Sequence, residues 1–167
     1  MASHLPSRPE GWEGITASPE ETVEKGRELA TRLRAPVLVL LSGDLGSGKT
    51  TLAKGIISGL GAAREEDVTS PTFTLVHAFR TADAGPDSGN GRVYHVDLYR
   101  IEGFHDLETL GLEDVLADPA VVIVEWPERL TLRVDWPVVR VRLEPLDGGR
   151  RRITVAGAGA PAEGAVD

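Results

Sequence analysis

The chain has 167 residues, enough for one domain with a sizeable core, and its 26 acidic against 18 basic side chains give a net charge of -8. That balance excludes a broad electrostatic footprint for DNA or RNA, so contact with nucleic acid is expected to be indirect. The absence of cysteine excludes disulfides, thiolate metal sites and a cysteine nucleophile, and no apolar run approaches the roughly 18 residues of a membrane span.

Residues 1–14 mix proline, glycine and charge without period and read as a loose lead-in. They lack a basic start followed by an apolar run, so no leader is expected and the expected location is cytoplasmic. Ser18-Pro19-Glu20-Glu21 predicts a helix start, with Ser18 as N-cap, Pro19 at the first helical position and Glu21 closing a capping box. Thr22, Gly26, Leu29, Ala30 and Leu33 follow at helical spacing, and Pro36 ends the pattern. Val37 to Leu41 is apolar on both faces, as a central strand must be. A second helix is predicted from near Gly48 to about Ser58, with Leu52, Ile56 and Ile57 inward and Gly59 and Gly61 bracketing its end.

Two β-type runs, Thr72 to Phe79 and Arg92 to Ile101, flank the turn-rich TADAGPDSGNG and predict an antiparallel hairpin with a long exposed loop. Asp106 to Leu116 reads as a short amphipathic helix or helix pair. Val121 to Val124 is a second wholly apolar strand, ending at Glu125. A final antiparallel pair is predicted around Asp147-Gly148-Gly149, and residues 158–167 as a disordered tail. The expected architecture is α/β: a single domain over residues 15–157, with helices on a mixed sheet whose parallel strands lie at its centre and whose antiparallel strands add at one side.

Gly43-Asp44-Leu45-Gly46-Ser47-Gly48-Lys49-Thr50 satisfies G-x-x-x-x-G-K-S/T between a buried strand and a helix, the context that phosphate binding requires. Glycines let successive amides point into one concavity, where the helix adds its positive end. Lys49 would reach the outer phosphates and the Thr50 hydroxyl would bind Mg²⁺. Hydrolysis also needs an acidic group for the metal and a group to orient water. Glu125, at the mouth of a buried strand, is the first candidate. Asp97 is the second: alternation puts Val93, His95, Asp97 and Tyr99 on one face, which is polar enough to line a site. His95 itself reads more simply as a satisfied, half-buried histidine.

With the phosphate loop, Ser70-Pro71-Thr72-Phe73-Thr74-Leu75-Val76, His95-Val96-Asp97-Leu98-Tyr99-Arg100 and Glu125-Trp126-Pro127-Glu128 in this order, the chain resembles the bacterial TsaE (YjeE) family from about Ser18 to Val155. The Leu110-Gly111-Leu112-Glu113 segment adds to the likeness. The resemblance implies a P-loop NTPase-like, three-layer fold and an Mg²⁺-dependent ATPase of tRNA threonylcarbamoyladenosine biosynthesis. It also implies partners, the TsaD and TsaB proteins, with tRNA met only indirectly and no membrane. Position by position it implies nucleotide contacts from Gly43, Asp44, Leu45, Gly46, Ser47, Gly48, Lys49, Thr50, Thr51, Asp97 and Arg151. Thr50 and Glu125 are implied metal ligands, and Lys49, Asp97 and Glu125 the catalytic groups. Ser70-Pro71-Thr72 is similar to the family's switch segment, Trp126 lies beside the metal-contacting Glu125, and the segment around Ser18 and Pro19 is expected near the base.

Turnover by the isolated chain is expected to be slow, since no arginine is evidently placed to stabilise the transition state. The main alternative is a small-molecule kinase on the same fold, which needs an acceptor pocket and a basic lid; TADAGPDSGNG has no basic residue. A GTP-binding switch ranks last, because no N-K-x-D segment is present to read guanine. A nucleotide-bound interaction module without catalysis is the remaining option.

Overall fold

The computed structural model describes residues 11–68, 76–81, 91–102, 111–130 and 134–157. Seven strands form one sheet in the order β1-β7-β6-β2-β5-β4-β3: β1 (Trp12–Thr16), β2 (Val37–Ser42), β3 (Val76–Arg80), β4 (Arg92–Asp97), β5 (Val121–Glu125), β6 (Val138–Pro145) and β7 (Arg151–Ala156). The central four, β6, β2, β5 and β4, run parallel. Apolar side chains on both faces of β2 and β5 explain their place in the middle: every residue from Val37 to Leu41 and from Val121 to Glu125 is buried.

The mixed sheet is as expected, but antiparallel strands extend it at both sides rather than one. β7 and β1 lie beyond β6, and β3 beyond β4. Trp12 to Gly14, the end of the expected lead-in, belong to β1, whose five residues pair with β7 in register from Trp12↔Val155 to Thr16↔Arg151. Its composition carries little strand signal; the free edge of β7 supplies the partner. The β-run expected over 92–101 stops at Asp97, because the Asp97 carboxylate accepts from the Tyr99 amide at 2.9 Å and turns the chain. The tail over 158–167, the 82–90 loop and residues 103–110 lie outside the described residues.

Helix α1 (Pro19–Ala30) begins as predicted: the Ser18 hydroxyl accepts from the Glu21 amide at 3.1 Å, while Glu21 accepts from the Ala17 amide at 3.0 Å. It ends at Ala30, a turn before Leu33. Helix α2 (Lys49–Gly59) starts one residue after Gly48, whose φ of 105° suits glycine. α1 and α2 pack on the same face of the sheet over Val39, Leu41, Val93, Ile123, Val139 and Ile153. The opposite face carries a second apolar cluster of Leu38, Leu40, Val96, Val122 and Val124. Its cover, among the described residues, is the short α3 (Leu112–Val115) with Ile101, Leu130 and Val134 rather than long helices.

Candidate functional site

The carboxyl ends of three adjacent parallel strands converge. β2 runs out into the glycine loop, β5 ends at Glu125 beside Leu41, and β4 ends at Asp97 beside Glu125. This is the edge at which open α/β sheets bind ligands. A cleft of about 370 Å³ opens there. Its floor is Leu45, Gly46, Gly48, Lys49, Thr50 and Thr51, and its walls are Asp97, Tyr99, Glu125, Trp126 and Arg151.

The predicted residues not lining the cleft have other places. Gly43 and Asp44 line a second hollow together with Trp126, Glu128 and Arg142, and Ser47 is fully buried, its amide donating to the Asp44 carbonyl at 3.0 Å. Gly43 takes a φ of 151°, and a β-carbon there would stand 2.5 Å from the Leu143 carbonyl oxygen, so only glycine fits the loop against β6. Ser18 and Pro19 cap α1 and are not among the cleft's lining residues. Ser70-Pro71-Thr72 lies outside the described residues.

Lys49 is held by the loop itself. Its ammonium donates to the carbonyls of Gly43 at 2.6 Å and Asp44 at 2.8 Å, and lies 4.3 Å from the centre of the Trp126 ring. Burial lowers its pKa from the ordinary 10.5, and the nearby carboxylates, Glu125 first, partly oppose that fall. The Thr50 hydroxyl is 3.0 Å from each oxygen of Glu125. Glu125 is 3% exposed and Asp97 5%. Two carboxylates and a hydroxyl are hard oxygen donors, the set that suits Mg²⁺ when phosphates and water complete its shell.

Of the three consecutive arginines, only Arg151 reaches the cleft, donating to the Gly46 carbonyl at 3.2 Å. Alternation along β7 turns Arg152 to the other face, where it pairs with Glu13 at 3.0 Å, and Arg150 stays in the turn, bonded to the Asp147 carbonyl.

Two features go beyond the shared face that alternation assigns to His95, Asp97 and Tyr99. Tyr99 joins the wall through the Asp97 turn, its ring 5.0 Å from that of Trp126, which adopts a φ of 60°. Trp126 directs its indole over Lys49 by means of that left-handed backbone, a conformation rare for a large side chain. The second feature is His95, which is fully buried rather than half-buried; its Nε2 lies 2.6 Å from Glu125 Oε2. Its signal was available in part, since a histidine two residues before Asp97 shares its face.

Comparison with known proteins gives one consistent picture. A family model described as "Threonylcarbamoyl adenosine biosynthesis protein TsaE" matches residues 16–153. Proteins called tRNA threonylcarbamoyladenosine biosynthesis protein TsaE are similar over most of their length. The one from Treponema pallidum is 32% identical over 85% of this chain and 98% of its own. That from Streptomyces coelicolor is 40% identical over 81% and 90%, and that from Mycobacterium tuberculosis 39% over 80% and 79%. Among solved structures, Bacillus subtilus YdiB superposes with a TM-score of 0.64 at 27% identity, covering 94% of this chain and 90% of that one.

Proposed function

The chain belongs to the TsaE family, and from that premise we propose that it is an Mg²⁺-dependent ATPase serving tRNA threonylcarbamoyladenosine biosynthesis, acting on a TsaB–TsaD pair rather than on tRNA itself. The observation that carries the reading is the contact of the Thr50 hydroxyl with both Glu125 oxygens at 3.0 Å, directly beside Lys49 at the start of α2. A loop hydroxyl touching the carboxylate at the end of a neighbouring strand is the arrangement that holds a metal against a triphosphate.

In this reading the amides of Gly46, Gly48, Lys49 and Thr50 and the positive end of α2 cradle the phosphates. The Lys49 ammonium exchanges the Gly43 and Asp44 carbonyls for phosphate oxygens. Thr50 and Glu125 would hold Mg²⁺, which when bound would supply positive charge against the phosphoryl oxygens. Asp97 orients water from the wall opposite the loop, and Arg151 flanks the nucleotide across Gly46. The acidic surface, with a net charge of -8, suits a protein partner better than direct contact with tRNA.

Calorimetry with ATP at saturating Mg²⁺, followed by turnover with and without a TsaB–TsaD pair, tests the proposal. Binding together with slow basal hydrolysis that the pair accelerates is the expected result. No heat of association from folded protein, or fast turnover indifferent to the pair, would overturn it.

A further inference from the structure

His95 stands behind the cleft wall with no contact to the opening. It is fully buried on β4, and its Nε2 meets Glu125 Oε2 at 2.6 Å. A carboxylate offers only lone pairs, so that short contact requires a proton on Nε2. The other ring nitrogen, Nδ1, is buried without a hydrogen-bond partner among the described residues. A bare lone pair there leaves no donor stranded, whereas a buried N–H would be orphaned, so the ring is assigned as the neutral Nε2–H tautomer.

That tautomer has a consequence for Glu125. The carboxylate is 3% exposed and needs donors in place of water. One is fixed: the imidazole sits on a central parallel strand and cannot move with the loop. The other is the Thr50 hydroxyl, equidistant from both oxygens. Thr50 thus faces the carboxylate as a whole, and Oε1 is the oxygen that the imidazole does not engage.

We infer that His95 is a positioning residue, holding Glu125 through Oε2 so that the carboxylate faces Thr50 and keeps Oε1, which the imidazole does not engage, for the metal position. The inference rests on the function proposed above, but its structural half does not: the tautomer and the held oxygen exist without nucleotide. Partners that orient a metal-binding carboxylate from behind contribute about tenfold to a hundredfold in metal affinity or activity.

The amide nitrogen of glutamine falls near the place of a histidine Nε2, and that of asparagine near Nδ1. His95→Gln therefore keeps the donor to Glu125, while His95→Asn and His95→Leu lose it. For Asn and Leu the expected result is kcat lower by about tenfold to a hundredfold, a matching loss of the extra ATP affinity that Mg²⁺ confers, and unchanged ATP binding in EDTA. Gln should restore kcat to within a few-fold of the parent. Equal activity in all three variants, or losses in Gln as large as in Leu, would overturn the inference. Nitrogen-15 NMR of the unmutated, nucleotide-free protein gives an independent reading: Nε2 should be protonated and Nδ1 of pyridine type, and the reverse tautomer would refute it. If the parent bound no ATP, the proposed function would fall while the NMR result still decided the His95–Glu125 contact.

Discussion

The approach of α1 to α2 rests on glycine, and Gly55→Ala tests how little slack it has. A β-carbon at Gly55 would lie 2.0 Å from the Val23 carbonyl oxygen and 3.0 Å from the Gly26 Cα. Ordinary contact begins at 3.4 Å, so the helices must part by about 1.4 Å, and the obstacle is main chain that no rotamer relieves. Overpacking of this kind costs about 3 kcal/mol, at the upper end of the usual range. Alanine returns about 1 kcal/mol through helix propensity. The net loss is about 2 kcal/mol, which at a urea m-value of about 2 kcal/mol/M lowers the midpoint by about 1 M. Urea melts followed by circular dichroism measure this directly. Because α2 opens with Lys49 and Thr50, the same displacement should also loosen ATP binding. A midpoint that rises, as propensity alone would make it, would refute the claim that the two helices touch at their backbones.

Other substitutions separate the roles in the cleft. Glu125→Gln should leave ATP affinity in EDTA within a few-fold of the parent, reduce the affinity that Mg²⁺ adds, and lower turnover by at least about a hundredfold, as measured by phosphate release. Thr50→Ala should remove about tenfold of the affinity that Mg²⁺ adds, seen by calorimetry with and without EDTA. Lys49→Met should abolish triphosphate binding and also change stability with pH. Since burial lowers the lysine pKa below 10.5, the unfolded chain binds the extra proton between the lowered value and 10.5, and stability of the parent rises with pH through that window. Denaturant midpoints at about pH 8 and near 10.5 should therefore shift in favour of the parent relative to Lys49→Met; a gap that does not change with pH would contradict the assigned direction.

Local chemistry made much of this molecule legible before any coordinates. The cap at Ser18, the two wholly apolar strands, the glycine loop and the helix behind it each follow from interactions within a few residues, so composition and period carry them. The motif order also sufficed to identify the family. What periodicity cannot carry is pairing between distant segments. β1 exists because β7 offers it an edge, and its five residues signal little by themselves. Arg151 reaches the cleft, unlike its two neighbours, because β7 begins there and alternation fixes which face each side chain takes. The contact of His95 with Glu125 spans 30 residues and depends on the parallel register of β4 against β5, in which Asp97 stands beside Glu125. Residue types and their local order thus named the groups, whereas strand register, a property of the assembled sheet, decided which of them meet.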